Sequence, residues 1–455
     1  MVSRRDLLQT FGVSATLGFA GCGGLFSTES SRQTSTPDAA TPARTPTVTL
    51  RPEGTATPSD PAGTTILDQT LTPTPSPTAT DTPPSTGSAT ATAARTSEIA
   101  GTPAFTPSDG PDPHDFGTSV ALVDGVALVD REGDSVAVFE SSDDGWRQTA
   151  TLTPEREDIT YSNLPVPIVL DSETAYIGGI RLGDNGAVDV IERVGDEWTR
   201  QTQVTPDDPP EDFYNFGRSV AYSDGTLVVG AVNEPTPMVS YRGHVFVFEG
   251  SGDDWTQVAD FGTDPHDLFG RSVAVSGDRL LVGAPATGEG TNWDGTVYGY
   301  ERSDGEWIQA STLSVEAEDT AFGRQVALDG DTAVVAAIES DSPGRVYVFE
   351  RTEDGWTQQD SFPGAQGADG ADAACTITLQ GSTALLGNPR DDTAGEAVRL
   401  ERVDDGWERT ERFVANSRDP ADRFGAAVAL DGQAALVGAP TFDDERPGRG
   451  YLFDL

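Results

Sequence analysis

From residue 116 to the end of the chain, runs of four to eight residues alternate apolar with polar positions, and each run stops at a turn dipeptide. Alternation with period two is the signature of half-buried strands. One phrase organises the runs: Phe269-Gly-Arg-Ser-Val-Ala-Val-Ser-Gly-Asp-Arg-Leu-Leu-Val-Gly-Ala-Pro285, which returns at 424–440. Further copies start at Phe116, Phe216 and Phe322. Two degenerate copies keep the spacing but lose Phe-Gly, at Leu164-Pro165 and at Ala373-Ala374. The seven anchors lie 48 to 53 residues apart.

A second phrase alternates with the first: Val346-Tyr-Val-Phe-Glu-Arg-Thr-Glu-Asp-Gly-Trp356, with relatives around Trp146, Trp198, Trp255, Trp307 and Trp407. Each unit therefore predicts four short strands, the first after Phe-Gly, the second ending at Gly-Ala-Pro, the fourth opening at the Trp. Asp-Gly turns join one to two and three to four, as tight hairpins require. Four strands per unit at a period near 50 predict an all-β, seven-bladed β-propeller of four-stranded antiparallel blades. The last unit stops after its third strand, at Leu455. The segment Ile99 to Thr106 stands where a fourth strand belongs, so an N-terminal strand is expected to close the ring by pairing with the C-terminal one. The propeller is placed at 98–455.

The region before it has another character. Residues 1–22 contain Arg4-Arg5, a short apolar run and Phe19-Ala20-Gly21-Cys22. The run is too short to span a bilayer. It resembles a twin-arginine export signal with a lipobox, implying lipidation at Cys22; the alternative is a plainly cleaved signal with an incidental cysteine. Residues 23–97 are rich in Thr, Pro, Ser and Ala, as in Thr72-Pro73-Thr74-Pro75, and offer too little apolar surface to offset ordering entropy. A disordered stalk is expected, either a bare spacer or O-glycosylated. Together these features place the chain on the extracellular face of the cell membrane, held through Cys22.

Charge narrows the partners. The chain carries 74 Asp and Glu against 29 basic residues, a formal net charge of −45, and no Lys. Such repulsion is tolerable where salt shrinks the Debye length to about 3 Å, so a halophilic source is expected. Nucleic acid is excluded, because counterion release needs clustered cations. With Cys22 consumed, Cys375 has no intramolecular partner and reads as a buried thiol.

The repeated phrases resemble the FG-GAP repeats of integrin α-subunit propellers and their prokaryotic relatives. The resemblance implies a recognition platform used in adhesion, lectin-like binding or assembly. It departs from the calcium-binding members of that family, whose first turn is an Asp-x-Asp-x-Asp-Gly loop. The corresponding connections here are two-residue turns such as Asp124-Gly125 and Asp431-Gly432, which supply too few oxygens for a hard cation. Neither metal nor cofactor is expected.

Parity places the short turns on one face and the long, varied connections on the other. The long-connection face is the candidate for recognition. On it Asn292, Trp293 and Asp294 form an aromatic–polar group suited to a sugar or a protein partner. Arg218, Arg271 and Arg324 each follow Phe-Gly in consecutive blades. They either hold an anion or pair with Asp212, Asp267 and Asp319 nearby. His114 and His266 sit in repeated Asp-Pro-His-Asp loops without the further ligands zinc needs. The expected function is a monomeric binding or adhesion module for a surface protein or glycan, not an enzyme. The alternatives are a glycan-acting enzyme, or a structural envelope component that binds a partner surface protein.

Overall fold

The computed structural model describes residues 96–107, 116–131, 135–153, 166–179, 186–207, 215–233, 242–262, 268–285, 295–316, 321–339, 342–364, 376–389, 394–404, 406–419, 422–432, 434–441 and 446–455. All of them fall in one compact unit. The signal, Cys22, Cys375 and the stalk up to residue 95 lie outside the described residues.

The chain opens with β1 (Ser97–Gly101) and continues through seven antiparallel sheets in sequence order. Blade 1 is β2 (Val120–Val123), β3 (Val126–Arg131), β4 (Ser135–Ser142) and β5 (Gly145–Leu152). Blade 2 is β6 (Ile168–Asp171), β7 (Thr174–Gly179), β8 (Ala187–Val194) and β9 (Glu197–Val204). Blade 3 is β10 (Phe216–Ser223), β11 (Thr226–Asn233), β12 (Arg242–Ser251) and β13 (Asp254–Gly262). Blade 4 is β14 (Ser272–Ser276), β15 (Arg279–Ala284), β16 (Thr296–Ser303) and β17 (Glu306–Leu313). Blade 5 is β18 (Gln325–Asp329), β19 (Thr332–Glu339), β20 (Ser342–Thr352) and β21 (Gly355–Pro363). Blade 6 is β22 (Thr376–Gln380), β23 (Thr383–Asn388), β24 (Glu396–Val403) and β25 (Gly406–Ala415). Blade 7 is β26 (Ala427–Asp431), β27 (Ala434–Ala439) and β28 (Arg449–Asp454). The seven-bladed propeller expected from the repeat is the fold of the chain.

The repeated residues have mechanical roles. Phe116, Phe216, Phe269, Phe322 and Phe424 are fully buried, and each lies edge-on to aromatics of its own third strand. Phe322, for example, meets Tyr347 at 5.7 Å and Phe349 at 5.9 Å between centroids. The glycine after each Phe has positive φ, +89° at Gly217, +84° at Gly270 and +88° at Gly323, a conformation glycine adopts without a Cβ penalty. That turn delivers its carbonyl onto the Gly-Ala-Pro glycine of the preceding blade. A Cβ on Gly178, Gly230, Gly283, Gly387 or Gly438 would collide with the carbonyl oxygen of Gly217, Gly270, Gly323, Gly425 or Gly117 respectively. The last contact joins blade 7 to blade 1 and shuts the ring.

Closure at the N-terminus differs in one respect from the sequence-based expectation. Phe105 does stand in the fourth-strand place of blade 7, exchanging two 3.0 Å hydrogen bonds with Gly450 of β28. Its ring packs into blade 1, 4.7 Å from Phe139 and 5.3 Å from Trp146. The pairing ends there. The next position to donate to β28 is Pro103, which has no N–H. The strand ahead of it, β1, instead pairs parallel with β25, with Ile99 opposite Phe413. The N-terminal segment thus fastens blades 6, 7 and 1, and β1 adds a fifth strand to blade 6 in place of a fourth to blade 7.

Charge holds β1 down. Glu98 accepts hydrogen bonds from both Arg412 and Arg418. The Arg418 bond, with Arg412 beside it, draws the Glu98 carboxyl below its ordinary value. A depressed folded value stabilises the paired state above the unfolded value, and the contribution disappears as pH falls through the folded one. Protection of the residue 97–101 amides, measured against their intrinsic exchange rates, is therefore expected to fall on acidification below the ordinary carboxylate range, ahead of the blades. Glu98→Gln should produce the same local loss of protection at neutral pH without moving the melting temperature of the propeller.

Candidate recognition face

Because the strands of each blade run antiparallel, the one-to-two and three-to-four turns share one face. Asp124-Gly125, Asp224-Gly225 and Asp304-Gly305 have positive φ at both residues, the two-residue hairpin turn that matches strand twist. Side chains staple this face from blade to blade. The turn amides of Gly277, Gly330, Gly381, Gly432 and Asp124 donate to Ser223, Ser276, Asp329, Gln380 and Asp431 of the preceding blade, over 2.6 to 3.2 Å. Near the same face, arginines at the ends of third strands reach the preceding blade's glutamate. The pairs are Arg193–Glu140 at 3.2 Å, Arg302–Glu249 at 2.6 Å, Arg351–Glu301 at 2.5 Å and Arg402–Glu350 at 2.7 Å. Each such half-exposed pair contributes about 1 kcal/mol or less. Turns of two residues, bonded to their neighbours, leave little surface free to adapt to a ligand.

The acidic doublets before the tryptophans belong to this face as solvated turn carboxylates: Asp143, Asp144, Asp253, Asp254 and Asp404 are all exposed. Between blades 2 and 3, Tyr176 stacks on Tyr222 at 4.4 Å. Burial pushes the Tyr176 hydroxyl well above its ordinary value, and the bond to Tyr222 adds to the shift. Asp171 is raised as well, by burial and then by the Asp224 charge. Among the described residues no cluster of three or more His, Cys, Asp or Glu is arranged to hold a metal.

The opposite face carries the long connections, such as 180–186, 234–241, 286–295 and 389–395. Asn292, Trp293 and Asp294 lie in the third of these, outside the described residues, as do His114 and His266. The three arginines are described. Arg218, Arg271 and Arg324 follow Gly217, Gly270 and Gly323 and so enter the innermost strands of blades 3, 4 and 5 at one register. They are not equally accessible: Arg218 is only 9% exposed, while Arg271 and Arg324 are half-buried. Their expected carboxylate neighbours Asp212, Asp267 and Asp319 lie outside the described residues.

Several groups that shape the ring were not singled out in the sequence. Asp189 is buried at 3% exposure and takes Arg200 at 2.8 Å and Gln203 at 2.9 Å. Asp130, 1% exposed, accepts a hydrogen bond from Thr118. Asp422, 4% exposed, is met by Ser417 and by Arg446 and Arg449. Buried carboxylates need such partners, and a lone Asp in a strand gives no sequence sign of them.

The repeated phrases are matched by a known repeat family. Residues 198–248, 255–300, 312–349 and 407–453 match the FG-GAP repeat family. The chain carries FG-GAP repeats, and their glycines and phenylalanines are the residues that lock its blades. No curated protein matches the chain. Among solved structures it is similar to the computationally designed Ika8 protein, at 10% identity over 78% of this chain and 100% of that one, TM-score 0.44. It is similar also to a chain of the mitotic checkpoint complex, at 12% identity, 86% and 99% coverage and TM-score 0.48. A third is Sqt1 of Saccharomyces cerevisiae, at 11% identity, 75% and 83% coverage and TM-score 0.42.

Proposed function

We propose that the protein is a lipid-anchored binding module of the cell surface that recognises a protein or glycan through the long-connection face of its propeller. The observation that carries this reading is the asymmetry of the two faces. One is built from two-residue turns bonded to their neighbours; the other is where the connections of varied length and composition join the strands. Recognition resides where loops vary over a fixed scaffold. Cys22 supplies the anchor and the Thr/Pro-rich segment the standoff. Trp293, flanked by Asn292 and Asp294, is the contact residue of that face, and Arg271 and Arg324 border the central mouth.

The test is saturable binding of the labelled protein to isolated cell envelopes in multimolar salt. Truncating a central aromatic anchor costs about 2 kcal/mol or more, so Trp293→Ala should weaken binding by roughly thirtyfold. Absence of saturable binding at every salt concentration, with the fold intact, would sink the reading and turn attention to turnover of soluble glycans.

A further inference from the structure

The glycine lock is missing at two of the seven junctions, and it is missing on both sides at once. Blades 2 and 6 lack Phe-Gly, having Leu164-Pro165 and Ala373-Ala374 instead. In the blades just before them, the receiving glycine is replaced by Asp130 in blade 1 and Ala336 in blade 5. Elsewhere each lock keeps both halves. A hydroxyl reinforces three of the intact locks: Ser219, Ser272 and Thr376 donate to the carbonyls of Gly270, Gly323 and Gly425.

Cover of the innermost strands does not by itself mark these junctions: in β22 no residue is buried and in β6 only Leu170 is, but Ser219–Ser223 of β10, behind a locked junction, are all half-buried too, whereas four of five residues are buried in both β14 and β26. A further difference does fall on the two unlocked blades. The second residue after the fourth-strand Trp is Gln at 148, 257, 309 and 358, but Arg at 200 and 409. These arginines cross the unlocked junctions on the outer rim: Arg200 donates to the Thr153 carbonyl of blade 1 at 3.4 Å, and Arg409 to the Pro363 carbonyl of blade 5. The pairs Arg193–Glu140 and Arg402–Glu350 tie the same junctions near the short-turn face.

We infer that the propeller consists of two stiff arcs, blades 2–5 and blades 6–7–1, which flex at the two unlocked seams. The pivots are the outer-rim ties of Arg200 and Arg409. The inner strands part on the long-connection side, where the locks would otherwise sit, so the motion sets the width of the mouth on that face. As a device for fitting the face to its ligand, the flexing rests on the recognition function proposed above; as a property of the ring it does not.

Amide hydrogen exchange of the full chain in multimolar KCl reads the seams directly. Local opening shows as lowered protection confined to one cooperative unit. Amides of β6 and β22 are expected to exchange at least tenfold faster than those of β10, β14, β18 and β26. Arg409→Gln, which restores the residue of the other blades, should speed β22 severalfold further and leave β14 unchanged. Gly283→Ala breaks an intact lock and should bring β18 to the rate of β22. Should either variant fail to fold, the wild-type comparison alone decides. Equal protection in all seven innermost strands, or a seam strand as slow as its locked counterparts, overturns the inference. Envelope binding with uniform exchange would sink the seams and spare the recognition face; fast seams without envelope binding would do the reverse.

Discussion

Gly438→Ala is expected to damage the ring at the junction where its two ends meet. The added Cβ would collide with the carbonyl oxygen of Gly117 and lie against its Cα. Both neighbours are backbone, held in place: Gly117 donates to the Asp130 carbonyl at 3.0 Å, and the Gly438 carbonyl accepts from Gly425 at 3.0 Å. Neither can retreat as a flexible side chain would. Overpacking of this kind costs about 1–3 kcal/mol, and this junction is the one where the two ends of the repeat array meet. Thermal melting in multimolar salt should show a fall of roughly 3 °C. Ala336→Gly supplies the contrast. It removes a buried methyl at the matching position of an unlocked junction, relieves no clash, and should cost about 1 kcal/mol, less than the loss at Gly438. Equal effects from the two substitutions would refute the lock.

Phe105→Ala should have a comparable effect through a different route. The ring is fully buried, with Phe139 at 4.7 Å and Trp146 at 5.3 Å. Truncating such a side chain costs about 3–5 kcal/mol, from lost burial and from the cavity left behind. Here the loss also loosens the single bridge to Gly450, the backbone link between the N-terminal segment and β28. Denaturant unfolding should shift to lower midpoint by that amount. Ile99→Ala, in the half-buried β1, should cost far less. If Ile99→Ala proved the more harmful, β1 and not Phe105 would be the principal fastener.

The propeller was legible in the sequence because its repeat is imposed by packing. Phe fills the space under its own third strand and glycine is compulsory where a neighbour's carbonyl lands, so both residues persist at a constant interval. The partner of the N-terminal strand was not legible. Placing Ile99 to Thr106 against the last strand satisfies both spacing and hydrophobicity. What defeats it is the parity of Pro103, which matters only once Phe105 is known to be bonded to Gly450. The unlocked junctions were visible as two degenerate copies, but Asp130 and Ala336 belong to different units, and only the stacking of blades connects each with the copy that follows it. The long connections resist such reading for a physical reason. They lie outside the contacts that the repeat imposes between blades, so no periodicity marks Asn292 to Asp294.

The Phe-Gly lock is directional: at each of the five locked junctions one blade offers a bare glycine and the next a carbonyl. Seen as an assembly rule, this is a head-to-tail contact with no means of telling its own chain from another. It is satisfied within one molecule only because Gly438 meets Gly117 after seven units. A chain that lost its last blade would keep one unmatched half at each end, Gly387 of blade 6 and the carbonyl of Gly117 in blade 1. Such fragments would join end to end, and the same glycines that make a closed, self-limited ring would then direct the growth of an open chain of molecules.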